Sequence, residues 1–300
     1  MALGYLPLLS YFCYASQIVY PSWRKGNNME FEIKPQSKFS LGLKELWEYR
    51  ELFYFFTWRD VKVKYKQTVL GFLWAIFQPI IMTMLFTLGF GKLISTNSQL
   101  SVPYPIFVLS GFLLWNIFSS GLSNAGNSMV NNANIIKKIY FPRLIVPISS
   151  ILVSLIDFLM AFIVFIPVLF YYGCSFNASA FFLIPLSILL AVMATFGLGT
   201  FLAALNIKYR DFRYILPFFI QALLFATPVI YPIKISDNKW FQWILQLNPM
   251  NAPIELFRGS ISESGLNYSS ILTSICVSLI LFVIGVVYFR RTEGYFADLA

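Results

Sequence analysis

The chain has 300 residues, 58% of them hydrophobic and 12% charged, with a net charge of +9 and a mean hydropathy of +0.70. That is about half the charge of an ordinary soluble domain. It marks an integral membrane protein, and the cations fall in short blocks between apolar runs instead of forming one polybasic face for nucleic acid. There is no histidine, which excludes histidine metal sites, triads and proton relays. No metal site and no catalytic residue is expected, and Cys13, Cys174 and Cys276, odd in number and far apart in or beside apolar stretches, read as small buried hydrophobes.

Residues 1–28 are apolar, but Pro7 breaks them and they lack the basic flank of a secretory signal. Met29 reads as a second beginning, so 1–28 are taken as an upstream extension, 29–66 as an N-terminal segment and 67–300 as the transmembrane domain. Leu43–Lys66 is too charged to span. It presents Leu46, Trp47, Phe53, Tyr54, Trp58, Val61 and Tyr65 at mostly helical spacing, which predicts an interfacial helix on the inner leaflet. "VKVKYK" alternates with a strand-like period, yet a lone strand beside a membrane has no pairing partner.

Six apolar runs follow, near Leu70–Gly91, Tyr104–Ser123, Ile145–Tyr172, Phe181–Leu205, Ile215–Ile233 and Ser270–Phe289. Each is near or above the ~20 residues that a helix needs to cross a bilayer. The fifth holds Pro217, Pro228 and Pro232, which predicts a bend or break. From Glu30 onward, one side receives Lys34, Lys38, Lys44, Arg50, Arg59, Lys62, Lys64, Lys66, Lys137, Lys138, Arg143, Lys208, Arg210, Arg213, Arg290 and Arg291; the other receives Lys92, Lys234, Lys239 and Arg258. The Lys/Arg rule then places both termini in the cytoplasm. Asp157, in the third run, is the one ionisable group deep in a predicted span, and its reading is divided between a helix-packing residue and a functional one.

Two connections stand out. "NNANIIKKIYFPR", Asn131–Arg143, sets apolar side chains beside two lysines and ends at a proline, which predicts a short amphipathic helix able to lie on lipid or to insert an aromatic tip into a partner's groove. "KWFQWILQLNPMNAPIELFRGSI" is apolar but interrupted by Pro249 and Pro253, and neither half can span. Two short helices meeting at "NPMNAP" would form a re-entrant outer lid; a loop anchored at the headgroups is the alternative. "NIKYRDFRYILP", with three cations around one aspartate, reads as headgroup anchoring.

No phosphate loop of the G-x-x-x-x-G-K-[ST] kind occurs, so this chain has no such cradle for ATP. Trp74, Phe77, Trp115, Phe118, Phe218, Phe219 and Tyr231 fall inside predicted spans beside Gln78, Asn116, Ser119, Ser120 and Gln221. Aromatic faces with amide and hydroxyl partners suit sugar rings. As a group they are the candidate translocation path.

The segments "WRDVKVKYKQTVLGFLWAIFQP", "NANIIKKIYFPRLIVP", "LNIKYRDFRYILPF", "TPVIYP" and "LNPMNAPIELFRG" occur in the order found in a known family. The chain resembles the membrane subunit of type-2 ABC exporters, in the branch that exports O-antigen, teichoic acid and capsule-like polysaccharides. The resemblance implies an all-helical protein of the bacterial cytoplasmic membrane with six spans, working as a homodimer with two copies of a separate ATPase. ATP and Mg would sit on that partner, leaving this chain a transport subunit without cofactor or enzyme activity. It further implies that Asn134, Ile135, Ile136, Lys137, Lys138, Tyr140, Phe141 and Arg143 couple to the ATPase. The resemblance implies too that Arg59, Asp60, Lys62, Lys64 and Lys66 form the elbow into span one, and that Trp240, Trp243, Asn248, Pro249, Pro253 and Phe257 form the outer gate. The substrate is then a lipid-linked polysaccharide. A drug or lipid exporter, an ion-coupled carrier and a membrane-embedded transferase are the alternatives, the last with poor material for acid–base chemistry.

Overall fold

The computed structural model describes residues 43–66, 71–97, 100–209, 211–232, 239–262, 266–294 and 296. The expected extension 1–28, Cys13, Met29, Arg210 and Lys234 lie outside the described residues. Every regular element among the described residues is a helix: α1 (Leu43–Glu48), α2 (Arg50–Lys66), α3 (Gly71–Asn97), α4 (Tyr104–Asn131), α5 (Ala133–Ile136), α6 (Ile145–Tyr171), α7 (Ala180–Lys208), α8 (Phe212–Ala226), α9 (Lys239–Gln246), α10 (Asn251–Gly259) and α11 (Tyr268–Glu293). "VKVKYK" is the end of a helix, as the lack of a strand partner predicts.

Five helices, α3, α4, α6, α7 and α11, are long and apolar enough to cross a membrane. The fifth predicted span is not one of them. Its helix stops at Ala226 after 15 residues, about 22 Å at 1.5 Å per residue against a hydrocarbon core of about 30 Å. The cause is local. Thr227 precedes Pro228 and is extended (φ −101°, ψ 136°), because the proline ring disfavours helical backbone in the residue before it.

α4 is the central helix, packed by α3, α6, α7 and α8, with Ile106, Leu113, Leu114, Ile117 and Leu122 fully buried. It runs parallel to α7, where Gly121 faces Thr195 and Gly199 faces Ala125. α11 crosses α7 at Gly197 and Gly285, whose backbones are so close that a side chain on either would meet the other helix's main chain. Close approach through small residues is how helices gain contact in lipid, where no hydrophobic force drives them together.

A second core lies at the end of the bundle that carries Lys137, Lys138, Arg143, Arg290 and Arg291. Phe56 of α2, Met129, Ile136, Phe141, Leu144 and Ile145, Ala203 and Ile207 of α7, Phe289 and Phe296 pack together there. The cysteine expectation fails for the described pair, since Cys276 is exposed and Cys174 is only partly covered; both sit on outward helix or loop positions that an apolar window does not distinguish from buried ones.

Candidate functional site

At the basic end, the predicted amphipathic helix over 131–143 shrinks to the single turn α5, followed by turns. Two contacts pull the chain out of helix. Phe141 reaches the ring of Phe56 at 5.5 Å between centroids, and the Arg143 backbone N–H donates to the Glu293 carboxylate at 3.1 Å while its guanidinium donates to the Glu293 carbonyl. Phe141 is thus 3% exposed and no part of a tip, whereas Tyr140 is 77% exposed. Ile136 is buried and Ile135 half-buried, leaving Asn134, Lys137, Lys138, Ile139 and Tyr140 outward. The loop is therefore a base of buried apolar anchors carrying a cationic, aromatic apex.

Next to it, α2 runs along the first half of α6. Lys64 pairs with one carboxylate oxygen of Asp157, and the Tyr65 hydroxyl donates to the other. Burial, then the hydrogen bond to Asp157, pushes the Tyr65 phenol up from its ordinary value, so it stays a donor. Of the elbow residues, Arg59 donates to Asp60 at 2.9 Å through Nε and lies over Phe56, while Lys62 and Lys66 are exposed. Lys64, also on the exposed side of α2, is thus the ion-pair partner of Asp157 on α6, a role that the block of charges alone did not disclose.

At the opposite end, α9 and α10 meet at Asn248–Met250. The Asn248 side chain donates to the Ala226 carbonyl (3.1 Å) and to Thr227 Oγ1 (2.9 Å), and accepts from the Met250 N–H (2.8 Å). Three serines of α11 spaced four apart hold the junction: Ser270 Oγ accepts from Asn251 Nδ2 (2.6 Å), Ser274 Oγ accepts from the Ala252 N–H (2.9 Å) and donates to the Asn248 carbonyl (2.8 Å), and Ser278 Oγ donates to the Pro249 carbonyl (3.1 Å). Asn248, Pro249, Pro253 and Phe257 are buried within this assembly, and Trp240 and Trp243 are exposed on α9.

Arg258, expected among the outer-side cations, lies at this same end but is turned into the protein. Its guanidinium donates to the carbonyls of Pro228 (2.8 Å), Phe107 (2.9 Å) and Val229 (2.7 Å), and lies 3.4 Å from the centre of the Phe107 ring. Burial pushes it down to about 9, with Glu255 acting the other way, so it remains charged at neutral pH. One side chain thus joins α4, α10 and the turn after α8. Gly111 makes room for it: a Cβ there would stand 2.8 Å from Arg258 Nη2.

The candidate path residues divide into two sets. Trp74, Phe77 and Gln78 on α3, and Phe219 and Gln221 on α8, lie on exposed faces. Trp115 and Phe118 do not join them. They are buried in α4, 5.4 Å apart between ring centroids, because that helix is covered on all sides by its neighbours; Asn116 between them is half-buried.

Residues 51–262 match the model of the ABC-2 type transporter family. The chain is 31% identical over 242 residues to the O-antigen export system permease protein RfbA of Klebsiella pneumoniae, covering 80% of this chain and 92% of that one. It is 28% identical over 213 residues to RfbA of Myxococcus xanthus (69% and 79%), and 25% identical over 245 residues to the polysialic acid transport protein KpsM of Escherichia coli (78% and 91%). By the extent of the family match and the length shared with these relatives, the chain belongs to the ABC-2 type transporter membrane family.

Proposed function

We propose that this chain is the permease subunit of an ATP-driven exporter that carries lipid-linked polysaccharide across the bacterial cytoplasmic membrane. The observation that carries the reading is the near full-length similarity to relatives named as permeases for O-antigen and polysialic acid. Two copies of the chain would work with two copies of a separate ATPase that binds ATP and Mg. The basic end faces the cytoplasm, a reading that the Lys/Arg distribution supports, and the Lys137–Tyr140 apex is the surface offered to the ATPase. The α9–α10 junction, pinned to α11, closes the outer end. An export machine is required because hydroxyls and a diphosphate dragged unpaired through hydrocarbon each cost several kcal/mol.

Clean deletion of the gene, in a strain with no second copy of the exporter, tests the reading. Lipid-linked polysaccharide should accumulate on the cytoplasmic face while its synthesis continues, and plasmid-borne protein should restore surface polysaccharide. Normal surface polysaccharide after deletion transfers the case to a drug or lipid exporter. Restoration should fail with Ile139→Ala/Tyr140→Ala at normal membrane abundance, with less ATPase retained on the tagged permease. Phe141→Ala should instead lower abundance, since Phe141 is an anchor.

A further inference from the structure

Asp157 stands twelve residues into α6, about 18 Å along it. Apart from it and Glu293 at the end of α11, helices α3, α4, α6, α7, α8 and α11 contain no acidic residue. An unmatched carboxylate at such a position is strongly unfavourable, so its partners are fixed by more than packing. Both of its oxygens are taken, one by Lys64 and one by Tyr65. That occupancy leaves it badly suited to bind and release a transported ion.

The same helix α2 is held at a second point, where Phe56 packs on Phe141. Phe56 and Lys64 are eight residues apart, about 12 Å along α2. A helix held at one point can pivot on its neighbour; held at two, it must follow it. Phe141 closes the loop that bears Tyr140, and the chain leads from α2 to α3 with its exposed Trp74, Phe77 and Gln78. Movement of the loop is therefore passed to α6 and α2 together.

We propose that the Lys64–Tyr65–Asp157 contact is a positioning latch that makes α2 and the first half of α6 move as one body, so that work done on the loop reaches span one. The inference rests on the exporter reading for its consequence, though not for its geometry. Lys64→Met keeps the aliphatic stem and loses the charge; Asp157→Asn keeps an acceptor for Tyr65 and loses the charge.

In the complex with its ATPase, each variant should still co-purify with the ATPase and hydrolyse ATP, while polysaccharide exported per ATP falls by about tenfold, within the usual range of coupling between two sites. The exchanged pair Lys64→Asp/Asp157→Lys should recover most of the loss. Wild-type export per ATP in both single variants overturns the latch, as does lower abundance with unchanged export per ATP in the protein that remains, which would make the contact structural only. Should the single variants fail to accumulate, the exchanged pair decides: restored abundance with coupled export supports the latch, and absence of any restoration overturns it. A substrate-independent arm uses K64C/D157C in a background without the native cysteines, oxidised in membranes. High-yield cross-linking supports the contact whatever is transported, and none overturns it. Failure of the wild type to restore polysaccharide in the deletion strain counts against the exporter reading alone.

Discussion

At the residue scale, the end of the bundle opposite the basic one depends on one guanidinium. Arg258 satisfies three carbonyls that the break at Pro228 and the close approach of α4 leave near one another. Lysine carries a comparable charge as a single point and cannot reproduce a planar fork stacked on a ring. Arg258→Gln should lower the thermal midpoint of the detergent-purified protein most, since stranding the Pro228 and Val229 carbonyls costs about 1–3 kcal/mol each while the Phe107 carbonyl keeps the Ser110 hydroxyl, and Arg258→Lys should lie between it and wild type. Gly111→Ala should also destabilise, by about 1–3 kcal/mol for overpacking, because its Cβ would press on Nη2. Adding Gly111→Ala to Arg258→Gln should cost less than the sum, as residues sharing one contact are not additive. An Arg258→Lys protein with the wild-type midpoint would remove the clamp from the account.

At the element scale, α11 holds the α9–α10 junction through Ser270, Ser274 and Ser278, one face of a helix read off at i, i+4 and i+8. Serine to alanine hardly changes volume, so the losses report hydrogen bonds, each worth roughly 0.6 kcal/mol between membrane helices. Ser274→Ala should be the most damaging single change, since it removes two hydrogen bonds and strands the Ala252 N–H, while the Asn248 carbonyl keeps the Asn251 N–H; thermal unfolding of the three single variants checks the order. Helices of this kind were legible in the sequence because a chain in lipid must satisfy its own backbone, which makes long apolar runs nearly synonymous with helices. The fifth run breaks where its prolines predict, at Thr227 before Pro228, which leaves its helix shorter than a span. Facing was far less legible. Trp74 and Trp115 sit in equally apolar windows, yet one is exposed and the other is buried, since a span in hydrocarbon lacks the polar-versus-apolar contrast that marks the inner face of a soluble helix. The role of Arg258 was hidden for a related reason: counting cations by loop gives the end of the bundle but not the depth, and its carbonyl partners lie on other elements. Phe141 and Lys64 find their roles through partners 85 and 93 residues away in sequence, which no local pattern contains.

At the scale of the whole molecule, the exposed faces of α3 and α8 bear on how the subunit assembles. Both helices flank α4, and each exposes an amide among aromatics: Gln78 beside Trp74 and Phe77, Gln221 beside Phe218, Phe219 and Phe225. Aromatic side chains alone would suit lipid. An amide facing hydrocarbon would lose its hydrogen bonds at a cost of roughly 2 kcal/mol or more, and α8 is too short to line the bilayer by itself. Both difficulties disappear if these faces border a hydrated space between two copies, where amides meet water or sugar and the short helix is backed by its counterpart. By contrast, the outward face of α11, with Leu272, Leu279 and Val283 exposed, carries no such group and belongs against lipid. In a background with the native cysteines replaced, a single cysteine at Gln78 or Gln221 should give a cross-linked species of twice the subunit mass in membranes treated with a short bifunctional thiol reagent. A cysteine at Leu279 should not. Cross-linking from Leu279 with none from Gln78 or Gln221 would move the subunit contact to α11 and leave the two amides without a polar neighbour.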